Sequence, residues 1–208
     1  MNNVLVITSS ANGESSVSGR LATRFIDQLR SRHPGLGVVV RDVGAEPVPH
    51  LTANTVAAIK GTPASAAEIA ARELSDTLIA ELEAADLIVI ASPMYNFGMS
   101  STLKAWFDHV LRAGVTFRYT ESGPEGLLKG KKAVLIQSRG GLYSEGPAAA
   151  MNAQESHIQT LLGFAGIDDV TFVRAERLAF GLEAAEASIE AAIAQLDGFA
   201  EDELALAA

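Results

Sequence analysis

Short, unbroken apolar runs alternate along this chain with longer stretches in which apolar positions recur every three or four residues. The first run, from Asn3, is "VLVIT"; its continuity and β-branched content predict a strand covered on both faces. Val17, Leu21, Phe25 and Leu29, with Ala22 and Ile26 beside them, form one stripe of a helix. Arg30, Arg32 and His33 close that helix, and Pro34-Gly35 stops it. "LGVVVRDV" (Leu36 to Val43) predicts a second strand. After the Pro-rich "GAEPVPHL" come a short helical piece near Thr55 to Lys60 and a longer helix over Ser65 to Ala84. "DLIVIAS" (Asp86 to Ser92) is the third strand. Ser100 or Ser101 caps the next helix, whose Leu103, Trp106, Phe107, Val110 and Leu111 follow the i, i+3, i+4, i+7, i+8 template. "KAVLIQS" (Lys132 to Ser138), a helix over Gln154 to Ala165, "DVTFVRAE" (Asp169 to Glu176) and a helix carrying Ile189, Ala192, Ile193 and Leu196 complete the series.

Strands alternating with helices imply an α/β protein, a parallel sheet wrapped on both faces. Two doubly wound strand orders are common, and five strands favour the flavodoxin-like order 2-1-3-4-5 over the six-stranded dinucleotide-binding one. In that order the first, third and fourth strands meet at the centre, and ligands sit beyond their carboxyl ends. The functional question narrows to three loops.

Composition adds bounds. At 208 residues, with no repeat and no linker, the chain is expected to form one domain over 1–208. Its 48% apolar and 20% charged content fit a globular protein. A net charge of −9 argues against a nucleic-acid partner, whose phosphates are held by Lys and Arg. Having no cysteine excludes disulfides, thiolate chemistry and Cys-based metal sites. The four histidines, His33, His50, His109 and His157, show no metal-ligand spacing, so no metal site is expected. His33 reads as a helix C-cap and His109 as a helix-face residue beside Asp108. No basic leader precedes the first strand and no run is long enough for a membrane span, so a cytoplasmic location with no membrane partner is the expectation.

The first of the three loops, "SSANGESSVSG", places Ser10, Ser16 and Ser18 around a helix start, with Gly13 free to bend. A helix N-terminus with neutral hydroxyl donors suits a phosphate monoester. A serine-rich loop with an ordinary capping residue is the plainer alternative. Neither G-x-G-x-x-G nor a P-loop is present; "KGKK" (Lys129 to Lys132) precedes a strand and reads as a solvated turn. The second loop sets Met94, Tyr95, Asn96 and Phe97 between a strand end and a helix start. They suit a flat heteroaromatic ligand, or else fold back on the core. The third, "QSRGGLY", offers Ser138, Arg139 and the close-approach pair Gly140-Gly141; Arg139 serves the ligand or pairs with a carboxylate. One phosphate cradle, one aromatic platform and one glycine edge, all at central strand ends, describe a site for flavin mononucleotide (FMN).

The motifs "SSANGESSVSGRLA", "SPMYNFGMSSTLKAWFDHVLRAGVTFRYTESGPEGLLKGKKAVLIQSRGG" and "LLGFAGIDDV" make the chain similar to the FMN-dependent NADH-azoreductases, also called FMN-dependent NADH:quinone oxidoreductases. The likeness spans nearly the whole chain. It implies a homodimer with FMN at the interface and transfer of two electrons from NADH to a quinone or azo acceptor; donor and acceptor taking the same ring face in turn predicts ping-pong kinetics. It also implies that Ser10 and Ser16-Val17-Ser18 hold the phosphate, Met94 to Phe97 line the isoalloxazine, and Ser138 to Gly141 meet its pyrimidine side. The long segment Ala113 to Lys129, with Tyr119, is implied to line the site across the dimer, helped by Phe164 of the second subunit. Plain packing at a helix end is the other reading of Phe164. The family often carries a Pro or a longer apolar residue where Ala11 and Asn12 stand here. No protein acid, base or nucleophile is expected, because the flavin carries the electrons. The rival class is a flavodoxin-type carrier passing electrons between protein partners, which the acidic charge fits and the exposed aromatic loop does not.

Overall fold

The computed structural model describes residues 1–205; positions 206–208 of the expected domain lie outside the described residues. Five parallel strands form the central sheet: β1 (Asn3–Thr8), β2 (Gly37–Asp42), β3 (Leu87–Pro93), β6 (Lys132–Ser138) and β7 (Asp169–Ala175). Their order is β2-β1-β3-β6-β7, the 2-1-3-4-5 order that the hydrophobic pattern predicts. The labels β4 (Phe117–Thr120) and β5 (Gly123–Gly126) belong to a separate antiparallel hairpin, which the sequence pattern did not show.

Alternation along each strand assigns its side chains to one of two cores. On one face Leu5, Ile7, Ile88, Ile90 and Leu135 pack against α3 (Ala66–Ala84), α4 (Ser101–Val110) and α5 (Ala153–Ala165). On the other, Val4, Val6, Leu87, Val89, Val134 and Ile136 pack against α1 (Val17–Arg32) and α6 (Leu182–Ala205). Burying each such side chain contributes about 2 kcal/mol, so register is strongly fixed: a one-residue slip would exchange the faces. Leu5 pairs with Ile88, and Ile88 with Ala133, keeping the carboxyl ends of the three central strands level. This level rim positions the site.

Helix ends follow their caps. Ser16 caps α1 by accepting the Gly19 amide at 3.1 Å, and His33 is the C-cap as expected. Ser100, rather than Ser101, caps α4 through the Leu103 amide. A short α2 (Ala53–Lys60) precedes α3. The "KGKK" turn is not simply solvated: Lys131 Nζ donates to the Glu83 and Ala85 carbonyls at 2.7 Å, satisfying the free end of α3. Among the described residues no helix is long and apolar enough to cross a membrane.

Candidate active site

The three loops converge. A cavity of about 190 Å³ at the rim is lined by Ser10, Ser16 and Val17 from the first loop, Met94 and Tyr95 from the second, and Ser138, Arg139 and Gly140 from the third. Ser18 is fully buried one residue behind, its hydroxyl 3.3 Å from that of Ser16. Asn96 and Phe97 stand exposed at the tip of the second loop, and Gly141 follows directly on the lining residues.

The first loop presents donors with nothing to donate to. The amides of Val17 and Ser18 open α1, and no described residue accepts from them, which is the ordinary state of a helix start. The Ser16 hydroxyl accepts from the Gly19 amide and shares one hydrogen bond with the Ser18 hydroxyl at 3.3 Å, so the pair keeps one of its two protons to give. The loop is held down where it leaves β1. Ser9 donates to the Ala91 carbonyl, and a Cβ on Gly44 would come within 2.3 Å of the Ser10 carbonyl oxygen, so only glycine lets the turn after β2 lie so close. Glu14, the carboxylate of this loop, lies on the outer side, in an adjoining cavity that shares Ser10 and Ser16 and takes in Arg20 and Asp27, and it is not among the residues that line the rim cavity. A neutral donor set at a positive helix end fits a phosphate monoester.

The second loop is strained. Tyr95 and Gly98 exchange both backbone hydrogen bonds across a two-residue turn. Its central residues, Asn96 and Phe97, have φ of 47° and 73°. Asn tolerates this left-handed conformation; an aromatic residue adopts it only when the surroundings impose it, at about 1–3 kcal/mol. What imposes it is visible. The Met94 amide is tied to the Ser138 carbonyl at 2.9 Å, and the Phe97 ring meets Tyr143 edge to face at 5.9 Å between centroids. Tyr95 turns back to the first loop, its hydroxyl accepting from the Ala11 amide at 3.0 Å. The platform therefore does not fold into the core.

The third loop is built the opposite way. Of the two readings of Arg139, the structure shows carboxylate pairing for the side chain. Its guanidinium is fully buried and donates to Glu155 at 2.6 Å, Glu176 at 3.0 Å and Gln154 at 3.2 Å. Only its main chain faces the cavity edge. Burial works to raise the Glu176 pKa, but the Ser144 hydroxyl, the Tyr143 amide and the Arg139 guanidinium outweigh it and hold the carboxyl below the usual range. Glu155 is held low in the same way, by Arg174 and Arg139 against burial. In front of this ionic anchor the amides of Gly140 and Gly141 are free to meet a ligand edge, since no described residue accepts from them.

Sequence reasoning missed Gln154, Glu176 and Leu178. Gln154 is wholly buried and donates to the Ser92 and Pro93 carbonyls at 3.1 and 3.0 Å while accepting from Gln137 and Arg139, so it locks β3 to β6 at the rim. Leu178 lines the cavity from a fourth loop, after β7, whose amides ladder onto Arg139, Gly140 and Gly141.

Tyr119 and Phe164 lie elsewhere. Phe164 packs on Phe117 of the hairpin at 4.4 Å, and Phe117 meets Tyr119 at 5.6 Å. Phe164 sits in the last turn of α5, ten residues of helix beyond the rim residue Gln154, about 15 Å along the axis. Within one chain these rings do not reach the cavity. None of the histidines lines it either; His109, expected on a helix face, is buried and donates Nε2–H to the Pro49 carbonyl at 3.0 Å. Burial holds its pKa below the usual imidazole value.

Comparison with known proteins agrees with this geometry. A family model described as flavodoxin-like fold matches residues 2–199. An FMN-dependent NADH:quinone oxidoreductase from Hyphomonas neptunium is 57% identical over 196 residues, 94% of each chain. One from Escherichia coli O157:H7 is 47% identical over 199 residues, covering 95% of this chain and 98% of its own. The crystal structure of an azoreductase from Bacillus anthracis, 29% identical, superimposes with a TM-score of 0.89 over 97% of this chain and 100% of its own. A second, an FMN-dependent NADH-azoreductase from the same species in complex with FMN, is 24% identical and shares the fold at a TM-score of 0.86 over 96% of this chain and 100% of its own. The chain belongs to the flavodoxin-like fold family and, within it, to the FMN-dependent NADH:quinone oxidoreductases.

Proposed function

We propose that this chain is a cytoplasmic, homodimeric oxidoreductase that binds FMN and uses NADH to reduce quinones and aromatic azo compounds. The convergence of three loops on one rim cavity carries this reading. When bound, FMN supplies the chemistry, taking a hydride from NADH and passing two electrons to the acceptor in alternation, the ping-pong pattern.

The chain's own residues bind and orient. Ser10, Ser16 and Ser18, with the amides of Val17 and Ser18, hold the phosphate by neutral hydrogen bonds at the positive end of α1. Met94, Tyr95, Asn96 and Phe97 flank the ring system, and the Met94 amide on Ser138 and the Phe97 ring on Tyr143 keep that wall from collapsing inward. Ser138, Arg139, Gly140 and Gly141 provide backbone at the pyrimidine edge, where free amides stabilise negative charge that builds up on the ring during reduction. The titratable side chains at the cavity are already engaged, Tyr95 with the Ala11 amide and Arg139 with Glu155 and Glu176, which suits chemistry borne by the cofactor.

Homodimer formation is supported by the aromatic hairpin. Tyr119 is 73% exposed beside Phe117 and Phe164, and such a cluster is expected to be covered. A second copy that brings it over the rim gives the substrate its aromatic cover, with Tyr119 and Phe164 as pocket residues. The rival, an electron carrier between proteins, has no use for this platform. Stopped-flow mixing with NADH decides: the flavin band bleaches within milliseconds to seconds and returns on adding benzoquinone. A flavin that binds but is not bleached by NADH overturns the enzyme and leaves the carrier.

A further inference from the structure

The strap after β7, Arg177 to Gly181, carries two features that the grip on FMN leaves unused. Arg177 is exposed and held in the left-handed region at φ 60°, its amide donating to the Gly141 carbonyl at 2.9 Å. The next amides repeat the pattern, Leu178 to Arg139 and Ala179 to Gly140, so the strap is fixed to the glycine edge of the site. Phe180 is 57% exposed, and the Arg177 guanidinium carbon lies 5.5 Å from its ring centroid. Leu182, two residues on, is 76% exposed, so the strap presents an open apolar surface and not one lone ring.

The charge pattern singles Arg177 out. Arg139 is committed to Glu155 and Glu176, and Arg174 to Glu155. Among the described residues no carboxylate pairs with Arg177. Glu176, next to it in sequence, is buried and turned to Arg139, Ser144 and Tyr143. Glu183 is the acidic residue that follows, in the first turn of α6, whose positive end adds to the cation. A free guanidinium over an open ring, beside the Gly140-Gly141 edge of the rim cavity, suits a phosphate and a purine.

We propose that Arg177 and Phe180 dock the ADP half of NADH, the guanidinium taking the pyrophosphate and the ring stacking on adenine. This rests on reading the chain as an NADH-dependent flavoenzyme. Recognition of the donor by its far half leaves the reacting face free, so a neutral quinone enters the same space once the dinucleotide has left. The acceptor carries neither phosphate nor purine and gains nothing from the strap.

The test uses the FMN-loaded protein and the variants Arg177→Gln and Phe180→Ala. Calorimetric titration with ADP alone is expected to show saturable binding to the unmodified protein, weakened about tenfold or more in R177Q, the effect of losing one charge-assisted contact. The Kd of NADH in the bleaching reaction rises by the same factor in R177Q and several-fold in F180A. A reduced nicotinamide riboside, which lacks the ADP half, bleaches all three proteins with the same dependence on concentration. Equal ADP affinity and equal NADH Kd across the three proteins overturn the docking site and leave the enzyme standing. No bleaching of the unmodified protein by either donor overturns both.

Discussion

The two sides of the rim are made by opposite means. The serine loop keeps donors unspent, with open amides at Val17 and Ser18 and one hydroxyl proton on the Ser16–Ser18 pair. The glycine loop has its charged groups fully spent, because Arg139, Glu155 and Glu176 satisfy one another out of water. The first side is built to meet a ligand, the second to hold a shape. Stability and binding should therefore separate when each is mutated.

The largest effect is expected behind the glycine loop. Arg139→Met leaves Glu176 without its cation in a buried place and strips Glu155 of one partner, at about 3–5 kcal/mol. Thermal unfolding should move down by about 10 °C. An Arg139→Met protein as stable as the parent would mean the buried ions are not what holds this loop. On the serine side, Ser16→Ala removes a cap worth about 1 kcal/mol and a phosphate donor, so FMN affinity should fall about tenfold while the fold persists. Quenching of flavin fluorescence on titration measures it, and an unchanged Kd would detach Ser16 from the phosphate.

Acid separates the sides further. Folding holds Glu176 and Glu155 below their ordinary range, so the stability they contribute is complete above the unfolded carboxylate pKa of about 4.3 and drains away as pH falls through the lowered values. Glu176→Gln should flatten that acid limb of a denaturation curve and leave neutral-pH FMN affinity within a few-fold of the parent. An acid limb of undiminished slope would show that other carboxylates govern it. The smallest effect lies between the two sides. Phe97→Gly removes the cost of a left-handed aromatic residue, partly offset by the lost ring contact with Tyr143, and should raise stability by up to about 1 kcal/mol, read as a higher denaturant midpoint. A loss of stability would show that the Phe97 ring supports the turn more than its backbone strains it.

Much of this was legible in the chain because its signals are local. Runs such as "LIVIAS" and "AVLIQS" are short, continuous and bounded by turn signals, as buried central strands are, and five strands with intervening helices left little choice of order. Ser16 announced both a cap and a donor. The partners of Arg139 were not legible, since Glu155 and Glu176 lie 16 and 37 positions away and nothing local marks them. Nor was the hairpin. "GPEG" has no strand propensity, and β5 forms where Gly126 lets the chain pack against the end of α5, a Cβ there falling 2.1 Å from the Gly166 nitrogen. The strap carrying Leu178 had one readable cue, an apolar "LAF" just beyond a strand end at the same rim.

Titration of the flavin-free protein with FMN tests the central claim most directly. One FMN should bind per chain with its fluorescence quenched, and a Ser16→Ala, Ser18→Ala double variant should bind it far more weakly while unfolding at nearly the parent's temperature. A double variant that binds FMN as tightly as the parent would place the phosphate somewhere other than the start of α1, and the shared rim site would fall with it.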